Sequence, residues 1–174
     1  MVKKKCIFLD RDGVINRSKA INGKPYAPTL FKNFIFLPQV KLSISLLKKK
    51  KYLIIVITNQ PDISNGKLNI SEFSLMTNKT FKNLKIDDLF FCPHSSFQNC
   101  KCRKPKLGMF DKAVKKHNID IGKSYMIGDR KSDIEAGKSL KCKTIFIDKN
   151  YLENKPINFD YSCKSLYKAL QYIK

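Results

Sequence analysis

The chain has 174 residues, 43% of them hydrophobic, which fits one domain (1–174) with a real core. Its formal net charge is +21, spread along the sequence and carried almost wholly by lysine, so it reads as a solvated basic surface rather than a dedicated nucleic-acid face. No run is long and apolar enough to span a membrane, and the apolar stretch behind the basic Met1–Lys5 stops at Asp10, too short for a secretory segment; a cytoplasmic protein is expected.

Cys6-Ile7-Phe8-Leu9 is a short apolar run with the length of a buried strand. It ends in Asp10-Arg11-Asp12-Gly13. Side chains two apart in an extended segment point the same way, so Asp10 and Asp12 are expected to converge just past the strand. Two carboxylates in one small volume repel unless a cation or proton holds them, and Mg²⁺ suits such a pair together with phosphate oxygens. A calcium loop would need further oxygen ligands and a closing Glu, and Val14-Ile15-Asn16-Arg17-Ser18-Lys19 supplies no such set. The segment Ser18 to Leu37 reads as loop-rich, with Asn22-Gly23, Pro25 and Pro28, and Pro38 just after it, and is expected to border the site.

Val40 to Lys51 has the spacing of an amphipathic helix, with Val40, Ile44 and Leu47 on one face and Lys48 to Lys51 at its end and turn. Tyr52 to Ile57 is a near-continuous apolar run, as expected for a strand buried on both faces. A helix is expected from Ser71, a strand at Leu89-Phe90-Phe91, and a helix from Leu107 to His117. A strand at Ser124–Ile127, a helix at Arg130–Leu140, a strand at Thr144–Ile147 and a closing helix at Ser165–Ile173 complete the pattern. Alternating β and α elements predict a three-layer α/β/α architecture with a central parallel sheet. Ligands in such sheets lie beyond the C-terminal ends of the strands. The polar motifs fall there: Asp10-Arg11-Asp12, Thr58-Asn59-Gln60 and Gly128-Asp129-Arg130.

Thr58 and the groups after it are candidates for binding a phosphoryl oxygen, or else a polar strand end. Asp129 can add a third carboxylate, and Asp133, one helical turn on, can support it by hydrogen bonding or cap the helix. Lys104 is placed to neutralise a transferring phosphoryl group, and Arg103 to clamp a second anion. There are only four arginines, Arg11, Arg17, Arg103 and Arg130, each in or beside a motif, as if reserved for places that need a planar fork.

Six cysteines in such a chain do not suggest a disulfide framework. Cys92, His94, Cys100 and Cys102 lie within eleven residues and form a Cys₃His set suited to closed, structural zinc. Cys6, Cys142 and Cys163 read as small core residues, and His117 as a surface or boundary residue of its helix.

The motifs FLDRDGVIN (8–16), ITNQ (57–60), CPH (92–94), CKCRKPKLGM (100–109) and MIGDRKSDIEAG (126–137), in this order, resemble the haloacid dehalogenase (HAD) superfamily of phosphohydrolases. Within it they are most similar to the zinc-loop group that contains heptose 1,7-bisphosphate phosphatases and histidinol-phosphate phosphatases. The resemblance implies a HAD-type fold with no large cap domain and a zinc-stabilised loop. It implies Asp10 as nucleophile and Asp12 as general acid and base. Mg²⁺ would be held by the Asp10 and Asp129 carboxylates and the Asp12 backbone carbonyl. Thr58, Asn59, Gln60, Lys104, Arg103 and Arg130 would face phosphate or substrate, with residues around Ser18 to Ile21 helping to close the pocket. It implies a small sugar-phosphate substrate and a monomer, with a heptose bisphosphate 7-phosphatase as the leading activity. Histidinol-phosphate phosphatase and a DNA 3′-phosphatase are the rivals. Pro61-Asp62 stands where the group more often has Ser-Gly, and Arg130 where it often has lysine; both departures bear on substrate preference.

Overall fold

The computed structural model describes residues 2–174. Its strands are β1 (Cys6–Leu9), β2 (Lys19–Ile21), β3 (Lys24–Tyr26), β4 (Leu53–Asn59), β5 (Asp88–Cys92), β6 (Tyr125–Gly128), β7 (Lys143–Ile147) and β8 (Tyr161–Cys163). Its helices are α1 (Val40–Lys49), α2 (Pro61–Ser64), α3 (Ile70–Leu84), α4 (Gly108–His117), α5 (Lys131–Leu140) and α6 (Leu166–Ala169). Six strands form one sheet in the order β5-β4-β1-β6-β7-β8, and every pairing in it is parallel.

The alternation within each strand decides which layer it feeds. Ile7, Leu9, Ile54, Val56 and Ile127 face one side, where Val40, Ile44 and Leu47 of α1, Leu84 of α3 and Leu166 and Ala169 of α6 cover them. Cys6, Phe8, Ile55, Ile57 and Met126 face the other side and meet Met109, Phe110 and Ala113 of α4 and Ala136 and Leu140 of α5. Phe8 and Phe110 meet edge to face, centroids 5.2 Å apart. Each fully buried aliphatic or aromatic side chain of this kind contributes about 1.5–3 kcal/mol. The expected three-layer α/β/α arrangement is therefore the one observed.

β1 lies between β4 and β6, so the strand order reverses at the centre of the sheet. This is the place where a doubly wound sheet opens a crevice at its C-terminal edge. The backbone N–H of Asp10 donates to the Ile127 carbonyl at 2.9 Å, which fixes the end of β1 against β6.

Four details differ from the sequence expectation. The loop-rich segment Ser18 to Leu37 carries, in addition, the short antiparallel hairpin β2–β3. α1 ends at Lys49, because Lys51 turns to a positive φ before β4. The closing helix is only α6 followed by a 3-10 turn at Leu170–Tyr172, started by the Ser165 hydroxyl accepting from the Lys168 N–H at 3.2 Å. β8 is a three-residue edge strand in a stretch with no apolar run to announce it. Among the described residues, no helix is long and apolar enough to cross a membrane.

Candidate active site

A cavity of about 260 Å³ opens at the C-terminal edge of the sheet, lined by Asp10, Asp12, Ser18, Asn59, Asp62, Arg103, Lys104, Arg130 and Asp133 among others. Asp10 follows β1, Asn59 ends β4 and Asp129 follows β6, so adjacent strands deliver residues far apart in sequence to one crevice.

Asp10, Asp129 and Asp133 are buried, and their carboxylate oxygens lie within 4.8 Å of one another. Lys104 Nζ sits among them, 2.9 Å from Asp10 Oδ1 and 2.6 Å from Asp133 Oδ1, and donates to the Ile57 carbonyl at 2.6 Å. Burial alone would lower the Lys104 pKa; the Asp10 and Asp133 carboxylates outweigh it and raise it. Burial, then Asp133, pushes Asp10 up to about 6 against the pull of Lys104. Burial, then Asp10 and Asp133, raises Asp129 far above the ordinary carboxylate range. One ammonium therefore does not balance three buried acids.

Asp129 carries the sharpest imbalance. Both of its carboxylate oxygens are buried without a well-formed hydrogen bond, although the Tyr151 hydroxyl lies close enough to lower its pKa somewhat. Gly13, at φ +86°, passes so near that a Cβ there would meet Asp129 Oδ2 at 1.8 Å. A buried carboxylate with open lone pairs beside a second carboxylate is the donor set of a hard divalent cation, and Asp10 and Asp129 fit Mg²⁺. Asp133 completes the acidic cluster but is already engaged. Its Oδ1 pairs with Lys104, and its Oδ2 accepts the Arg130 N–H at 3.0 Å, which is the helix-capping role read from sequence.

Asp12 borders the same cavity as Asp10 and helps raise its pKa, but it lies outside the Asp10–Asp129–Asp133 cluster. The chain leaves extended geometry after Asp10, and the Asp12 carboxylate turns aside to other partners while still bordering the cavity. It accepts from Asn16 Nδ2 at 2.8 Å, from Gln60 Nε2 at 2.6 Å and from the Arg11 guanidinium at 3.2 Å.

The remaining sequence candidates divide by what they touch. Thr58 is buried below the cavity, and its hydroxyl accepts from Gln60 Nε2 at 2.8 Å. Gln60 has its amide fully engaged, its Oε1 accepting from Arg11 at 2.9 Å, so it serves Asp12 rather than a ligand. Asn59 lines the cavity but uses its amide on the Lys104 backbone. Arg103 lines the cavity and donates from one guanidinium nitrogen to the His94 carbonyl at 3.1 Å. Arg130 is at the cavity edge in a two-point ion pair with Glu153, at 2.7 and 2.8 Å. Ser18 lines the cavity, whereas Ile21 is exposed on β2 and takes no part in the lining; Pro25, Tyr26 and Ala27 represent the hairpin there.

Cys92, His94, Cys100 and Cys102 come together beside this cavity. Their Sγ and Nδ1 atoms are separated by 3.2 to 3.5 Å. This approaches the edge of about 3.7 Å of a tetrahedron built on metal–sulfur bonds of about 2.3 Å. Burial alone would raise the Cys100 thiol, but the Arg103 backbone N–H and the neighbouring Cys102 bring it down to about 6. All six cysteines are free thiols. The cluster frames the site: the Gln60 N–H donates to the Cys92 carbonyl at 2.8 Å, and the Arg103 N–H to Cys100 Sγ at 3.3 Å.

Sequence reasoning did not single out Tyr151; Asp62 entered only as a departure from the group's pattern bearing on substrate preference, and Arg11 only as one of the few arginines. Tyr151 lies in a segment with no regular pattern. Arg11 had one signal, its rarity among so many lysines.

Residues 101–169 match a family model described as HAD-hydrolase-like. The chain is 31% identical over 179 aligned residues to a D-glycero-beta-D-manno-heptose-1,7-bisphosphate 7-phosphatase of Helicobacter pylori, covering 98% of this chain and 97% of that one. It is 33% identical to a D-glycero-alpha-D-manno-heptose-1,7-bisphosphate 7-phosphatase of Campylobacter jejuni, over 99% and 98% of the two chains. A crystal structure of a D,D-heptose 1,7-bisphosphate phosphatase from B. bronchiseptica, complexed with magnesium and phosphate, superposes with a TM-score of 0.82. That match has 24% identity over 97% of this chain and 99% of the other. Sharing this fold and these identities along nearly its whole length, the chain belongs to the HAD-like hydrolases, in the family of heptose 1,7-bisphosphate 7-phosphatases.

Proposed function

We propose that the protein removes the C7 phosphate of D-glycero-D-manno-heptose 1,7-bisphosphate through an aspartyl-phosphate on Asp10. The observation that carries this reading is the placement of Lys104 between Asp10 and Asp133 at the floor of the cavity, with Asp129 unsatisfied beside them. Asp10 Oδ1 is tied by the Arg11 N–H at 2.7 Å and by Lys104, so its orientation is fixed and Oδ2 is the oxygen that attacks phosphorus. Magnesium, held by the Asp10 and Asp129 carboxylates, would keep both ionised and stabilise charge on the phosphoryl oxygens. Asp12 gives a proton to the leaving alkoxide and afterwards takes one from the water that hydrolyses the acyl phosphate. Lys104 neutralises charge on the transferring group.

A bisphosphate leaves one phosphate in place after the reaction. Arg103, tied by a single backbone contact, has donors left for it, whereas Arg130 is committed to Glu153. Asp62 lines the same cavity without an ion pair and offers an acceptor for the sugar hydroxyls. Histidinol phosphate, with one phosphate and a cationic amine, gives Arg103 nothing to bind. The Cys92, His94, Cys100 and Cys102 set takes a structural zinc that shapes the loop presenting Arg103.

Purified protein with Mg²⁺ should release one phosphate from heptose 1,7-bisphosphate and leave heptose 1-phosphate. Both anomers belong in the assay, since relatives of similar identity are named for each. Preferential release from histidinol phosphate would overturn the assignment.

A further inference from the structure

Arg11 stands between the two working aspartates, yet it does not line the cavity. Its side chain is fully buried, which is costly for a guanidinium unless it is well held. Phe34 and Phe73 hold it by cation–π contact, at 5.5 and 5.3 Å from their ring centroids. One guanidinium nitrogen, Nη1, has no hydrogen-bond partner. The other two point at Asp12: Nε lies 3.2 Å from Oδ2, and Nη2 lies 3.2 Å from Oδ1 and 3.0 Å from Oδ2. Nη2 also donates to Gln60 Oε1 at 2.9 Å, and Gln60 returns a bond to Asp12 Oδ2 at 2.6 Å. Three side chains thus close a ring of hydrogen bonds anchored in an aromatic sandwich.

We propose that Arg11, with Gln60 as its partner, is a positioning residue that acts through Asp12, fixing the carboxylate from which the leaving oxygen takes its proton. The inference rests on the acid–base role assigned to Asp12. In the step concerned, Asp10 Oδ2 forms a bond to phosphorus as the bond from phosphorus to the ester oxygen breaks, and that oxygen receives the Asp12 proton. A sugar alkoxide needs this proton and a p-nitrophenolate does not. Because Arg11 touches neither substrate nor Asp10 through its side chain, its loss should be felt in proportion to that need.

The test compares kcat/KM, which reports events through leaving-group departure, for p-nitrophenyl phosphate and for the best alkyl phosphomonoester of a panel. Choosing the alkyl substrate from a panel separates this result from the sugar assignment: a wrong sugar changes which ester is used, not the comparison. Arg11→Met and Gln60→Leu should lower kcat/KM for the alkyl ester at least tenfold more than for the aryl ester. Arg11→Lys should restore only part of the loss, because a point charge cannot reproduce the fork. Equal losses with both esters would overturn the inference and assign Arg11 a purely structural part. Gln60→Leu leaves the buried arginine in place, so it decides the matter even if Arg11→Met does not fold, with circular dichroism and melting temperature checking each variant.

Discussion

Asn59 and Lys104 bind each other at two points: the Lys104 N–H donates to Asn59 Oδ1 at 3.0 Å, and Asn59 Nδ2 donates to the Lys104 carbonyl at 3.2 Å. The pairing joins the end of β4 to the loop behind the cysteine cluster. It thereby sets where the Lys104 ammonium enters the acidic crevice. Asn59→Ala removes both bonds and should lower kcat/KM by about 10- to 100-fold, a cost typical of misplacing a group by an ångström. Steady-state kinetics with intact melting temperature would show it; an unchanged kcat/KM would mean that the loop holds Lys104 without help.

Asp10→Asn removes the nucleophile while keeping the side chain's size. Turnover should fall by about three orders of magnitude or more, with the far-ultraviolet circular dichroism retained. Substantial turnover in this variant would rule out an aspartyl-phosphate on Asp10.

The acidic crevice predicts a link between cation binding and pH. Asp10 is raised to about 6 and Asp129 well above its ordinary value, so the folded chain binds more protons than the unfolded chain above about pH 4. Without a divalent cation, these two groups make stability fall as pH rises from about 4 through 6 and beyond. Mg²⁺ should cancel that fall, and at a hundredfold excess over Kd it adds about 2.7 kcal/mol. Melting curves with Mg²⁺ and with chelator should diverge more at pH 7.5 than at pH 4.5. Parallel curves would mean that no cation competes with protons there.

Gly13→Ala tests the same volume sterically. A methyl group would press on Asp129 Oδ2 from a backbone at φ +86° that alanine disfavours. Loss of Mg²⁺-induced stabilisation and of activity is expected together. A variant that keeps both would show that the crevice can widen.

Cys102→Ser should release the metal from the Cys₃His cluster and lower the melting temperature by roughly 5 °C. Because the cluster supports Arg103 through the His94 carbonyl and Cys100 Sγ, KM for a bisphosphate should rise more than KM for a monophosphate. Elemental analysis of the wild type should give one zinc per chain, and none would remove the cluster's proposed role.

The sheet was legible because its signals are local. The apolar runs at Cys6–Leu9 and Tyr52–Ile57 have no helical period, and each is followed by polar residues that find the crevice. β8 could not be read, since Tyr161-Ser162-Cys163 is held by pairing with β7 at the sheet's edge rather than by its own pattern. Of the site, Asp10, Asp129, Lys104 and the cysteine cluster were visible as residue types at strand ends or close spacing. The side-chain directions were not. Gln60 reads from sequence like a phosphate ligand, yet its bonds to Asp12, Thr58 and Arg11 depend on tertiary packing. The same holds for Arg130, whose partner Glu153 comes from a segment without regular structure.

The reversal of strand order at β1 also has a meaning for how the molecule comes into being. The crevice gathers Asp10 from the beginning of the chain and Asp129 from its last third, at the ends of β1 and β6, which are neighbours in the sheet though far apart in sequence. No early, locally ordered fragment can possess it. The onset of catalysis during refolding therefore serves as a late clock, ticking only after both halves of the polypeptide have met.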